Sequence, residues 1–116
     1  MLPAANRLRT SREFELVTKT GERATSLSLV LYFKKIENGN AQPRVGLIVN
    51  SSVGGSVIRH RVSRQLRHLI APHLKNFPTN SNLVMRVLRK KGKNESYEAE
   101  LSELLSKILT KVSVGA

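Results

Sequence analysis

The sequence predicts an α+β fold, a small mixed sheet of about four strands packed with helices in the order α-β-β(-β)-α-β-α. Three observations carry this expectation. Apolar residues recur at spacings of three and four around residues 11–20, 54–74 and 97–112, the period of a helix buried along one stripe. Between 27 and 36 the period drops to two, and 44–50 and 83–88 are short β-branched or apolar runs, as strands require. Turn residues mark the connections between these segments, at Gly21, Asn38-Gly39-Asn40 with Pro43, and Pro78 with Asn80.

Residues 1–9 carry few signals beyond the basic Asn6-Arg7-Leu8-Arg9 and are expected to form a flexible arm lying along the body or on a partner. Thr10 with Glu13 three residues later matches the capping-box pattern, and Gly21 offers a left-handed stop. Residues 11–20 should therefore form a short helix with Phe14 and Val17 inward. In the strand that follows, Leu27, Leu29, Leu31 and Phe33 share one face, and Ser28, Val30, Tyr32 and Lys34 the other. Asn38-Gly39-Asn40, with Pro43 beyond, is turn chemistry, so residues 44–50 are expected to return as an antiparallel partner in a hairpin. A helix over 54–74 should start at an N-cap Ser56 behind Gly54 and Gly55, and Pro72 should end or kink it near Ala71. A strand at 83–88 runs into the basic stretch 89–93. The last helix carries the stripe Tyr97, Leu101, Leu104, Leu105, Ile108 and Val112, with glutamates early and Lys107 and Lys111 late, as the helix dipole favours.

The 116 residues suit one domain, 1–116, with one core. A formal charge of +12, from 20 Lys plus Arg against 8 acids, is the footprint of a nucleic-acid binder. Its distribution says more. All eight acids are glutamates, and from 38 to 94 the chain has eleven Lys or Arg and no acid. The absence of cysteine removes disulfides and thiolate metal sites and fits a cytoplasmic protein. The first residues lack the apolar core of a signal peptide, and the longest apolar-rich run, 27–33, is far too short to span a bilayer.

That charge concentrates on the central helix. Ile58, Val62, Leu66, Leu69 and Ile70 form its apolar stripe. His60, Arg64, Arg67 and His68 follow the same spacing on the opposite side, Arg61 lies beside His68 two turns on, and Arg59 sits near the border. A merely solvated face usually mixes signs, whereas this helix has four arginines and no carboxylate to pair with them. Arginine throughout also favours planar, bidentate contact with phosphate oxygens. The free backbone N–H groups at the helix start add to an environment that attracts phosphate.

Arg59-His60-Arg61 and Arg64 through Arg67 follow Gly54 and Val57-Ile58-Arg59. Ahead of them stand, in order, Asn6-Arg7-Leu8-Arg9, Glu13-Phe14, Gly21, Val30-Leu31-Tyr32 and Arg44-Val45-Gly46-Leu47. This ordered set resembles the protein subunit of bacterial ribonuclease P over most of the chain. The resemblance implies a helper subunit, inactive alone, of a ribonucleoprotein endonuclease that removes the 5′ leader of precursor tRNA. The chemistry would belong to a catalytic RNA with magnesium bound mainly by that RNA. It implies that Arg59, His60, Arg61, Arg64, Arg67 and His68 meet the catalytic RNA. The leader would lie in a cleft between the sheet and the first helix, beside Phe14, Tyr32 and Thr18, the last standing where many relatives have a second aromatic. For both aromatics core packing is the competing reading, and it is the stronger for Phe14. The chain departs from the family pattern at His60, where Asn is usual, at Ser63, where Lys is usual, and at Ser51 and Ser52, where two lysines are frequent. The fold implied is a ribosomal-protein-like two-layer sandwich with a left-handed βαβ crossover, against the general preference for right-handed ones.

The expected partners are thus the catalytic RNA and precursor tRNA, with no DNA and no membrane. The alternative is a general or ribosomal-type RNA-binding protein without a nuclease partner, which charge alone does not separate. A nuclease in its own right would rely on His60, His68 and His73 as paired imidazoles. The chain has no aspartate, and its glutamates fall outside the basic middle, so no carboxylate cluster for two-metal hydrolysis and no catalytic or metal-binding residue is expected. Membrane-surface binding is disfavoured because the central helix's apolar stripe has no Trp or Phe to insert.

Overall fold

The computed structural model describes residues 7, 8, 10–36, 42–89 and 96–114, with side chains through residue 110. Several sequence expectations lie outside the described residues: Asn6 and Arg9 of the arm, the Asn38-Gly39-Asn40 turn, the basic stretch at 90–93, and the side chains of Lys111 and Val112.

The elements are α1 (Ser11–Thr20), β1 (Glu22–Thr25), β2 (Leu29–Lys35), β3 (Arg44–Ile48), α2 (Ser56–Ile70), a 3-10 helix (Ala71–Asn76), β4 (Ser81–Val87) and α3 (Glu98–Val114). The four strands form one mixed sheet in the order β1-β2-β4-β3. β2 pairs antiparallel with β1 and with β4, whereas β3 pairs parallel with β4. The expected α+β architecture of a mixed four-stranded sheet and three helices is therefore the one observed, but the expected hairpin between the first two long strands is not. β4 lies between them. The reason is burial: in β2 and β4 the residues of both faces are covered, Leu29 through Phe33 on one strand and Ser81 through Met85 on the other, so these two strands take the centre. β3 carries Arg44 and Gly46 and sits at the edge, reaching its parallel partner through α2, as a parallel connection needs a crossover.

Helix α1 starts as the capping box requires. Thr10 Oγ1 accepts from Glu13 N–H at 3.2 Å, and Glu13 Oε1 accepts from Thr10 N–H at 3.1 Å. Its end is a correction: Gly21 is extended (φ −84°, ψ 171°), not left-handed. A side chain there would collide with the carbonyl oxygens of Phe33 and Val17, so close approach to β2 is what the position demands. The strand expected from residue 27, which is β2, begins at Leu29. Leu27 is left 68% exposed in the β1–β2 turn, which is pinned from outside by Glu100 of α3 through Ser26 Oγ (2.7 Å) and Ser28 N–H (2.8 Å). At α2 the N-cap is Gly55, with Ser56 the first helical residue. Before it, Gly54 has φ +157°, and a side chain there would run into Ile58, so the entry turn needs glycine on both counts. The α-helix stops at Ile70, and Pro72 falls in the first turn of the 3-10 helix that continues it. The arm is tied down where it is described: Leu8 is buried, its N–H donates to the Val45 carbonyl at 3.0 Å, and Arg7 bridges β3 in parallel.

The period-two pattern separates two apolar clusters. Leu29, Leu31, Phe33, Leu83, Met85, Val87 and Val45 face α2, the 3-10 helix and α3, where Val62, Leu66, Ile70, Leu101, Leu104 and Ile108 close the larger core. Phe33 stacks on Phe77 there, ring centroids 5.7 Å apart. Val30, Tyr32 and Val84 point the other way, under Val17 of α1 and Leu8 of the arm, with Phe14 and Ile48 at the margin. Among the described residues no helix is long and apolar enough to cross a membrane.

Candidate nucleic-acid interface

α2 buries Val62, Leu66 and Ile70, with Ile58 and Leu69 partly covered, which is the stripe the sequence predicts. The opposite face follows by geometry. His60, Arg64 and His68 are exposed, Arg61 and Arg67 are half-buried along its flanks, and the helix has no acidic side chain. Arg59 is at the border, as expected, half-buried with its Nε enclosed and without a hydrogen-bond partner among the described residues. His60, Ser63, Arg64, Gln65, Arg67 and His68 line one shallow concavity along this face. Ser52 and Ser51, where the family resemblance leads one to expect lysines, lie exposed before the helix, and Ser52 is held by the Asn50 side chain through both its N–H and its hydroxyl.

The three histidines do not gather at one place on the arginine face. His60 and His68 are eight residues apart on one helix, about 12 Å along its axis. His73, on the 3-10 helix, joins His68 and Glu98 at the rim of a separate concavity. No group of three His, Cys, Asp or Glu is placed to hold a metal ion among the described residues.

The second surface is on the other side of the sheet, where α1 crosses β2 and β4. Strand register puts Gly46, Val84 and Tyr32 in one row beneath it, and Ile48, Arg86 and Val30 in the next. Phe14 reaches down from α1 so that its ring lies directly on Gly46. Ahead of it, Glu13 pairs with Arg44 of β3 (Oε2 to Nη1, 3.5 Å) and ties the first turn of α1 to the sheet edge. The two aromatics therefore come together, with a reversal of the sequence reading: Phe14 is the half-buried one, and Tyr32 keeps only 8% of its surface exposed. Thr18 is half-buried one turn beyond Phe14, its hydroxyl donating to the Glu15 carbonyl at 3.2 Å, and it offers no ring.

Two participants escaped the sequence reading. Arg86 is the exposed residue in an otherwise buried β4 and shares the face of Tyr32 and Val84. Its signal was present, a lone cation in an apolar strand. Gly46 had a weaker one, a glycine inside a strand run, but the ring that makes it matter comes from another element.

A basic, acid-free helix on one side of a mixed sheet and, on the other, a half-buried phenylalanine on the same face as an exposed arginine are the features of a small α+β polyanion-binding module. Comparison with known proteins narrows the class. The Ribonuclease P family model matches residues 2–109. The ribonuclease P protein component of Mycolicibacterium gilvum is 40% identical over 111 residues, covering 93% of this chain and 90% of the relative. That of Corynebacterium diphtheriae is 36% identical over 115 residues, covering 93% and 97%. Among solved structures, the Staphylococcus aureus RNase P protein superposes with a TM-score of 0.69 at 19% identity, covering 92% of this chain and 94% of that one. The Thermotoga maritima RNase P protein gives 0.60 at 22%, covering 91% and 90%. The chain belongs to the ribonuclease P protein component family.

Proposed function

We propose that the protein, as accessory subunit of the ribonuclease P endoribonuclease in tRNA 5′ maturation, divides its two surfaces between two RNAs. The face of α2 formed by His60, Arg61, Arg64, Arg67 and His68, with Arg59 at its border, binds the catalytic RNA. The cleft at Phe14, Tyr32 and Thr18 receives the single-stranded leader of precursor tRNA, with Arg86 beside it as a phosphate contact. The observation that carries the first assignment is the run of exposed or half-exposed cations on α2 with no carboxylate on the same helix. Such a face is mildly self-repelling until a polyanion neutralises it.

The second assignment rests on a half-buried aromatic and an exposed arginine on the same face of the sheet. A base on an aromatic ring is worth roughly 1–3 kcal/mol, and every base offers a face, so such a cleft suits any single-stranded leader. Magnesium for the reaction is bound mainly by the RNA, and the particle works in the cytoplasm, as the cysteine-free chain suits.

Reconstitution tests this. The protein mixed with catalytic RNA and precursor tRNA at low magnesium should restore cleavage at the mature 5′ end, and the protein with precursor alone should give none. Specific 5′ cleavage by the protein alone would overturn the accessory role.

A further inference from the structure

We infer that Gly46 is a positioning residue for leader binding: its missing side chain sets the depth at which the Phe14 ring rests on β3, and so the height of the stacking surface in the cleft. The inference rests on Phe14 being a leader contact.

Backbone conformation does not call for glycine at this position. Gly46 lies inside a regular strand, and the positive-φ glycine of the described chain is Gly54. Glycine within a strand is unfavourable by about 0.5–1 kcal/mol against alanine and leaves nothing to pack. What does call for it is the ring. A Cβ on Gly46 would overlap the ζ and one ε carbon of Phe14 and stand 3.1 Å from the other ε carbon, and no other residue is among its nearest contacts.

The ring has little freedom to avoid such a group. Phe14 follows Glu13, whose carboxylate both closes the capping box with Thr10 and pairs with Arg44, two residues before Gly46 on the same strand face. The helix turn that carries Phe14 is thus pinned to the strand that carries Gly46. Beneath α1 the row continues into Val84 and Tyr32, which are buried and stand in the way of a shift toward the middle of the sheet. With a methyl group at 46, which would stand 2.3 Å from the ζ carbon, the ring would have to move by at least about 1.2–1.7 Å before carbon–carbon distances reach van der Waals contact. A leader base would then meet a surface standing proud of its neighbours Ile48 and Arg86.

The test uses holoenzyme reconstituted with catalytic RNA, and precursor tRNA carrying 2-aminopurine in the leader, whose fluorescence is quenched by stacking. Phe14→Ala should lose the quench and lower the precursor-to-mature affinity ratio. Gly46→Ala should lower that ratio roughly tenfold, part of what a stacked base contributes. In a Phe14→Leu background, where the ε and ζ carbons are gone, Gly46→Ala should leave the ratio unchanged and should not lower the melting temperature, raising it if anything by the strand preference for alanine.

If Phe14→Ala leaves ratio and quench unchanged, the leader reading of Phe14 falls and this inference with it. If Phe14→Ala acts and Gly46→Ala does not, the leader reading stands and the positioning role is overturned. An equal effect of Gly46→Ala in both backgrounds also overturns it. Should Gly46→Ala alone unfold, a double variant that binds like Phe14→Leu and melts no lower than it supports the ring seat, and a double variant that also unfolds refutes it.

Discussion

The α2 face draws its arginines and histidines from fifteen consecutive residues, and each reaches the surface by helical periodicity alone. The cleft across the sheet draws Phe14 from α1, Tyr32 from β2, Gly46 from β3 and Arg86 from β4. On α2 the polar face and the apolar stripe are different residues, so a charge can be removed without disturbing the core. Across the sheet the proposed leader contacts are also packing residues: Tyr32 belongs to the smaller apolar cluster, and Phe14 is packed at its margin. A surface of the first kind can be altered freely, whereas one of the second kind is coupled to stability at every position.

The sharpest break between the two regions should come from Tyr32→Ala. Because Tyr32 is 8% exposed between Val30, Val84 and Val17, its truncation should destabilise the protein by about 3–5 kcal/mol, as large aromatic deletions do. Chemical denaturation measures this, and a loss below about 1 kcal/mol would mean that the ring is not part of the core. The counterpart on α2 is the triple variant Arg61→Ala, Arg64→Ala, Arg67→Ala. It should melt near the wild-type temperature yet bind the catalytic RNA about 100-fold more weakly, at roughly 1 kcal/mol or so per lost charged contact. The log–log salt dependence should also become shallower by roughly 0.7–0.9 for each phosphate contact removed. Wild-type affinity in the triple variant, or an unfolded protein, would show that α2 presents a different face.

A smaller effect separates the cleft's rim from its floor. Arg86→Ala removes an exposed side chain, so stability should stay within about 0.5 kcal/mol, while precursor affinity falls several-fold and mature tRNA affinity does not. An equal loss for both tRNAs would move Arg86 out of the leader path. The smallest change is expected from His60→Ala with His68→Ala. Both side chains are exposed and about 12 Å apart along one helix, so turnover by the reconstituted particle should stay within a few-fold of wild type. A loss of several orders of magnitude would instead assign them to the chemistry.

How much was legible in the sequence divides along the same line. The capping box at Thr10 and Glu13, the apolar stripes of α2 and α3, the alternation in β2 and the acid-free run of cations depend on neighbours within one element, and local spacing specifies them. Strand order did not follow from them. Residues 44–48 have turn chemistry before them and read as the return strand of a hairpin, yet β4, arriving some forty residues later, outcompetes them for β2 because it can be buried on both faces and β3 cannot.

The ends of elements shifted for similar reasons: Gly21 is shaped by the approach of Phe33's carbonyl, and Leu27 is left outside because Glu100 reaches over from α3 to hold the turn. By itself the sequence determined the helices, the strand faces, the charged ridge and, through its ordered motifs, the family. Only the tertiary structure decided which strands touch, which aromatic is open and that Phe14 rests on a glycine, because each of these is a competition for burial between residues far apart in the chain, and periodicity records only the side of its own element that a residue faces.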